Sequence, residues 1–256
     1  MRLGAVTYNV IKDWDLETII EKLGGLGYEA VELRTTHAHG VEPSLSAEER
    51  QRVRRQFEGS KVRLLSFGTT AEFHSPDAAE RKRQVEIARQ FVDLAHDTGA
   101  WGIKVRPNNL PDAVPREVTI ANIGNALREL GDYGQAKGVE IWVEVHGRRT
   151  QEPPNMAAIM RAAGHQYVGV TWNSNPTDIV NGSLKESFRL LRPYIKCVHI
   201  NELANPAYPW RELFELLREM RYDRYTLCEA QESNEPERFL LWYKALWTEL
   251  ARPCGV

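Results

Sequence analysis

Residues 15–34 read DLETIIEKLGGLGYEAVELR, and this stretch divides into an amphipathic helix and a short strand. The apolar residues of its first half recur at helical spacing, at Leu16, Ile19, Ile20 and Leu23. Asp13 or Asp15 supplies the oxygen that caps the start of the helix, and Gly27 ends it. YEAVELR then alternates apolar and polar residues, as a strand does when its two faces have different surroundings. The stretch therefore predicts one helix followed by one strand.

The same pairing of strand and helix recurs along the whole chain. The eight predicted strands are residues 3–9, 28–34, 61–68, 101–107, 139–147, 166–173, 196–201 and 224–230. The predicted helices cover residues 15–27, 46–58, 75–98, 115–137, 155–163, 182–191, 209–220 and 236–250. Strands that alternate with helices indicate parallel βαβ units.

The number of units decides between two parallel-sheet folds. Six units allow an open doubly wound sheet, whereas eight favour a closed (β/α)8 barrel. The glycine fingerprint of a dinucleotide-binding sheet is also absent after the first strand, where the chain reads YNVIKDWD. We therefore predict an α/β protein with a single (β/α)8 TIM barrel domain over residues 1–256.

Composition and charge exclude several classes of protein. The chain has 256 residues, of which 42% are hydrophobic and 27% charged, so it is neither disordered nor fibrous. Its 33 basic and 35 acidic residues argue against nucleic-acid or membrane-surface binding, since both favour a basic surplus. Cys197, Cys228 and Cys254 are odd in number and form no CxxC pair, which fits reduced thiols. We predict a cytoplasmic protein without nucleic-acid or membrane partners, and leave a homo-oligomer open.

Polar residues collect at the carboxyl ends of the predicted strands, where the active sites of such barrels lie. Alternation places ten of them on the inward face: Glu32, Arg34, Lys104, Arg106, Glu144, His146, Asn173, His199, Asn201 and Glu229. Isolated charges are costly to bury, so these groups must pair with each other, bind a metal or face solvent.

Each of these residues also has a structural explanation. Glu32 and Lys104 could form an ion pair that fills the barrel, and Arg34 and Arg106 could be solvated rim residues. Lone buried histidines such as His199 are more often packed than ligating. The set is harder to explain by packing, because two carboxylates, an amide and an imidazole follow strands five to eight in order. Glu144, Asn173, His199 and Glu229 therefore predict a site for one divalent ion such as Mn, Mg, Co or Zn.

Four residues near the predicted mouth are left with open roles. Trp142 and Trp172 could form an apolar wall for a sugar ring or simply pack. Glu72 and His74 follow the third strand and could reach the site. Cys197 shares the inward face with His199, and we interpret it as a small filler of the barrel.

The chain resembles the xylose isomerase-like barrel superfamily, within its sugar phosphate isomerase/epimerase branch. The resemblance spans almost the whole chain and is carried by DLETIIEKLGGLGYEAVEL and, in order, by EVHG, VGVTWN, VHIN and LCEA. It implies that the family's Glu, Asp, His and Glu metal ligands correspond to Glu144, Asn173, His199 and Glu229. Asn173 departs from the family, as does Pro176, which stands where many ketose epimerases carry a substrate-binding histidine.

The resemblance implies a metal-dependent sugar isomerase or epimerase. Glu144 and Glu229 would exchange the proton α to a carbonyl of a small ketose, aldose or polyol derivative, by way of an enediolate. His146 would orient a hydroxyl, and Lys104 and Arg106 would hold a carboxylate or phosphate of the substrate or stabilise the enediolate. Glu32, Arg34 and Asn201 complete the expected substrate contacts.

Two alternative functions stay open, and a third is not expected. A keto-polyol dehydratase of the inosose type is the first alternative, and a non-catalytic sugar-binding barrel is the second. The zinc AP-endonucleases need further histidines where this chain has Phe67-Gly68, Arg106 and Pro176, so DNA repair is not expected.

Overall fold

The computed structural model describes residues 1–253 and contains a closed barrel of eight parallel strands. The strands are β1 (Arg2–Val6), β2 (Ala30–Arg34), β3 (Arg63–Glu72), β4 (Gly102–Arg106), β5 (Glu140–Glu144), β6 (Val168–Trp172), β7 (Ile195–Ile200) and β8 (Tyr225–Cys228). Neighbouring strands follow chain order, and β8 pairs with β1 to close the barrel, with Tyr225 opposite Arg2.

One α-helix follows each strand. The helices are α1 (Leu16–Leu26), α2 (Ala47–Glu58), α3 (Ala78–Thr98), α4 (Arg116–Lys137), α5 (Pro153–Ala163), α6 (Lys185–Leu191), α7 (Trp210–Glu219) and α8 (Pro236–Ala251). The predicted (β/α)8 barrel is therefore confirmed. Asp15 rather than Asp13 caps α1, because its side chain accepts from the backbone N–H of Thr18 at 2.8 Å. Gly27 ends α1 in the left-handed conformation, with φ 74°.

The fifth predicted strand ends earlier than expected. β5 stops at Glu144, and residues Gly147–Arg148 pair instead with Asn108–Asn109 in a two-stranded parallel ribbon beside the barrel mouth. Gly147 has φ 92°, and a Cβ there would overlap the carbonyl of Asn108. Only glycine fits this crossing, so the regular strand is interrupted and His146 lies in the link between strand and ribbon.

The core has two parts, one inside the barrel and one between barrel and helices. Trp142 lies in the barrel interior and Trp172 in the outer core, and both are fully buried. Packing, not a sugar-binding wall, is therefore the correct interpretation of the two tryptophans. Cys197 is also buried inside the barrel, as predicted for a filler. Cys197 and Cys228 are free thiols, whereas Cys254 lies outside the described residues.

Within residues 1–253, no helix combines the length and apolar character that crossing a membrane requires.

Candidate functional site

A cavity of about 300 Å³ opens at the carboxyl ends of the barrel strands. Its lining consists of Tyr8, Arg34, Lys104, Arg106, Glu144, His146, Asn173, Asn201, Glu229 and Gln231. A larger cavity of about 430 Å³ lies near the opposite end of the barrel, beside Lys61 and Arg63. Because active sites of this fold lie at the carboxyl end of the strands, we take the smaller cavity as the candidate site.

Eight of the ten predicted residues line this cavity, and the other two lie beneath it. Glu32 and His199 are fully buried and do not belong to the lining. Sequence reasoning missed Tyr8 and Gln231. Each lies two residues beyond an inward-facing residue, so the period of the strand would have revealed them if uncharged side chains had been considered.

Three of the predicted ligands converge at one point. One side-chain atom each from Glu144, His199 and Glu229 lies within 4.8 Å of the others. Donors bound 2.0–2.2 Å from one ion lie at most about 4.4 Å apart, so a small adjustment of these three side chains would bring them onto a common ion. Asn173 is buried nearby in the same lining, and its Oδ1 has no hydrogen-bond partner. A buried oxygen without a partner is unfavourable, so this donor set fits a divalent cation.

His199 lies between two carboxylates. Its Nε2 is 3.5 Å from Glu32 Oε1, and its Nδ1 is 3.3 Å from Glu229 Oε2. Burial alone would lower the pKa of His199, but the carboxylates of Glu229 and Glu32 outweigh burial and raise that pKa to about 10. Glu32 is itself held by Ser66, whose Oγ donates to Oε2 at 2.7 Å. Glu32 therefore contacts the imidazole from beneath the cavity.

Lys104 pairs with Glu144 rather than with Glu32. Its Nζ donates to Glu144 Oε2 at 2.7 Å, and each side chain is only 5% exposed. Burial opposes ionisation of Glu144, but the Lys104 ammonium, with His199 and His146, outweighs burial and holds the pKa of Glu144 well below its usual value. Glu144 is therefore a carboxylate with a buried counter-cation.

The rim of the cavity is a hydrogen-bonded network rather than a set of solvated charges. Arg106 donates to Glu72 Oε1 at 3.0 Å, and the Asn108 amide donates to the same oxygen at 2.6 Å. His146 Nδ1 lies 3.2 Å from Asn108 Oδ1. Glu72 thus reaches the site as the partner of Arg106. Arg34 lies over the ring of Tyr8, 4.8 Å from its centroid.

The loop that carries Asn173 is held by a buried network that sequence reasoning missed. Asp178 Oδ2 accepts from the backbone N–H of Asn175 at 2.8 Å and from the Tyr208 hydroxyl at 2.9 Å. The Asn175 amide donates to the carbonyl of Val145, next to Glu144, at 2.5 Å. Burial raises the pKa of Asp178 to about 7, although the bonds from Tyr208 and Asn175 oppose this rise.

A family model described as a xylose isomerase-like TIM barrel matches residues 20–246 of the chain. No curated protein matches the chain significantly in sequence. Many solved structures share the fold.

Three of the similar structures illustrate the range of that fold. An IolI protein with a zinc atom is 16% identical, with a TM-score of 0.82 over 98% of both chains. A D-psicose 3-epimerase with D-tagatose, from Clostridium cellulolyticum H10, is 15% identical, with a TM-score of 0.84 over 99% of this chain and 100% of that one. A probable 3-DHS dehydratase, AsbF from Bacillus anthracis, is 14% identical, with a TM-score of 0.78 over 97% of this chain and 99% of that one.

Proposed function

Because the chain belongs to the xylose isomerase-like TIM barrel family, we propose that it isomerises or epimerises a small sugar with the help of one divalent ion. The observation that carries this proposal is the convergence of Glu144, His199 and Glu229 within 4.8 Å at the barrel mouth. Asn173 joins them as a donor through its unpaired Oδ1. The zinc of the IolI protein and the sugar of the psicose epimerase support the same assignment in related barrels.

Glu144, Asn173, His199 and Glu229 hold the ion in this proposal. An ion bound there acts as a Lewis acid toward the substrate carbonyl. Imidazole and oxygen ligands together suit Mn, Co and Zn, and carboxylate and amide oxygens also accept Mg.

Glu144 and Glu229 transfer the proton. One carboxylate removes the hydrogen α to the substrate carbonyl, and the other returns a proton at the adjacent carbon or on the opposite face. Both side chains line the cavity, at the ends of β5 and β8. Each must be an ionised carboxylate when it accepts, and the Lys104 ammonium favours this form of Glu144 by lowering its pKa.

The remaining polar residues of the cavity orient the sugar. His146 and Asn201 are placed to hydrogen-bond hydroxyl groups, and Arg34, Lys104 and Arg106 supply positive charge for an anionic group. We propose that Glu32, which lies below the lining, influences the substrate indirectly, through its contact with His199. The cytoplasmic location, the absence of nucleic-acid and membrane partners and the homo-oligomer stay predictions from the sequence.

Proton exchange in heavy water tests the proposed function. Protein loaded with Mn²⁺, Co²⁺ or Zn²⁺ is incubated with a panel of ketoses, and deuterium at the α carbon is followed by NMR. We expect incorporation into at least one sugar, together with formation of an isomer or epimer. Loss of water from the product would favour the dehydratase alternative. Tight binding of a sugar without any exchange would favour the non-catalytic barrel and contradict the proposal.

A further inference from the structure

The ammonium of Lys104 forms an ion pair with Glu144, one of the proposed metal ligands. Its Nζ is 2.7 Å from Glu144 Oε2, and neither side chain is more than 5% exposed. Water therefore screens this pair less than it screens a surface pair, so the charge of Lys104 acts on any cation that binds Glu144.

The carboxylates available to an ion are few. Only Glu144 and Glu229 supply negative charge among the proposed ligands, since Asn173 is an amide. A divalent ion must then share Glu144 with a cation that already holds one of its two oxygens, and the two cations repel each other at short range. The affinity for hard cations follows the ligand charge, so the presence of Lys104 opposes binding of the ion.

We propose that Lys104 competes with the divalent ion for Glu144 and thereby sets the metal affinity of the site. This inference rests on the proposed function, because it takes Glu144 as a ligand. Lys104 also lines the cavity, so an ion that displaced its ammonium from Glu144 would leave that positive charge free for an anionic group of the substrate.

Arg106 provides a matched control on the same strand. It lies two residues beyond Lys104 and lines the same cavity, but its guanidinium is bonded to Glu72, which is not one of the proposed ligands. Removing the charge of Arg106 therefore changes the total charge of the cavity equally without freeing Glu144.

Calorimetric titration with Mn²⁺ tests the competition. We expect Lys104→Met to bind Mn²⁺ at least about tenfold more tightly than the wild type, because a repelling neighbour is removed. Arg106→Met is expected to stay within about threefold of the wild type. Lys104→Arg keeps the charge and should bind Mn²⁺ like the wild type.

Lys104→Met leaves Glu144 buried without a partner before the ion binds, so a second variant is needed in case that protein does not fold. Lys104→Gln retains a hydrogen-bond donor without the charge and should also tighten binding. Unchanged or weaker binding in folded Lys104→Gln or Lys104→Met would overturn the inference.

If the proposed metal site is wrong, the titrations give a different result than if only the competition is wrong. A Glu144→Ala, Glu229→Ala double variant that binds Mn²⁺ as the wild type does would remove the proposed site and, with it, the role of Lys104. Loss of binding in that double variant, combined with wild-type affinity in the Lys104 variants, would overturn only the competition.

Discussion

Asn173 brings no charge to a position where the family resemblance implies a carboxylate. Its Oδ1 is buried at the cavity and lacks a hydrogen-bond partner. We expect Asn173→Asp to tighten binding of a divalent ion at least about tenfold, or ~1.4 kcal/mol, because a third carboxylate joins Glu144 and Glu229. A metal titration of both proteins at one pH measures this effect. Equal affinities would mean that Asn173 does not touch the ion.

The two glutamates should affect turnover more than substrate affinity. Glu144→Gln and Glu229→Gln each preserve the size of the side chain but remove a proton-transfer group, a role worth about 10²–10⁴-fold in rate. We expect losses of this order in kcat, with the dissociation constant of the sugar changed by less than about tenfold. Metal content is measured in parallel, so that loss of the ion is separated from loss of proton transfer. A variant with near-normal kcat would remove that residue from the mechanism.

Strand alternation predicted which side chains meet but not how they pair. Alternation along each strand correctly placed Lys104, Glu144 and Glu32 on the inward face. The pairing of Lys104 with Glu144 rather than Glu32 depends on the relative heights of residues on different strands. That stagger is fixed by closure of the barrel, and it cannot be read from a single strand.

The loop between β6 and α6 links the candidate ligands to one another. Asn175 bonds the loop to Val145 beside Glu144, and Ser174 Oγ donates to the carbonyl of His199 at 2.8 Å. Asp178 and Tyr208 anchor this loop from the core side. This network could not be predicted from the sequence, because Asp178 follows no strand directly and its partner Tyr208 is 30 residues away.

Asp178 should make stability depend on pH. The pKa of the carboxyl is raised from 3.8 to about 7 in the folded protein by burial. Between these values the folded protein keeps a proton that the unfolded chain has lost, so the free energy of unfolding falls as the pH rises from about 4 to about 7. Asp178→Asn mimics the neutral acid and lacks this dependence.

Urea denaturation at pH 5 and pH 8 measures the effect of Asp178. Relative to the wild type, Asp178→Asn should gain on the order of 1–3 kcal/mol in the free energy of unfolding between the two pH values. Asp13→Asn, at an exposed position, serves as the control and should run parallel to the wild type. A parallel course for Asp178→Asn as well would show that this carboxyl ionises normally in the folded protein.

The two ends of the barrel differ in the polar residues that they carry. The mouth contains the candidate site, whereas the opposite end is closed by a polar cluster around Glu140, at the start of β5. Glu140 accepts from Arg224, from Lys196 Nζ at 3.0 Å and from Trp142 Nε1 at 2.8 Å. Through Lys196 and Arg224 these bonds link the start of β5 to β7 and to the residue before β8.

Glu140→Ala should therefore lower stability without changing the site. The Glu140 side chain is 21% exposed, and its removal leaves Arg224 and Lys196 without their shared carboxylate. We expect a loss of about 2–3 kcal/mol in the free energy of unfolding, with the Mn²⁺ affinity within about twofold of the wild type. Denaturation and metal titration of the same preparation test both parts. A large change in metal affinity would show that the two ends of the barrel are coupled.

The barrel as a whole was the most predictable feature of the chain, because eight strand–helix units leave few ways to bury every apolar face. The least predictable parts are the places where regular structure stops. Gly147 interrupts β5 through a contact with Asn108, which is distant in sequence. Such contacts exist only after the barrel has closed, so the local sequence pattern cannot predict them.

Equilibrium dialysis against Mn²⁺ or Zn²⁺, followed by elemental analysis, tests directly whether the barrel mouth binds one divalent ion through Glu144 and Glu229. We predict about one ion per chain for the wild type and loss of this ion in the Glu144→Ala, Glu229→Ala double variant, with circular dichroism showing an intact fold. The same metal content in both proteins, or no ion in the wild type at millimolar metal, would contradict a metal site formed by Glu144 and Glu229.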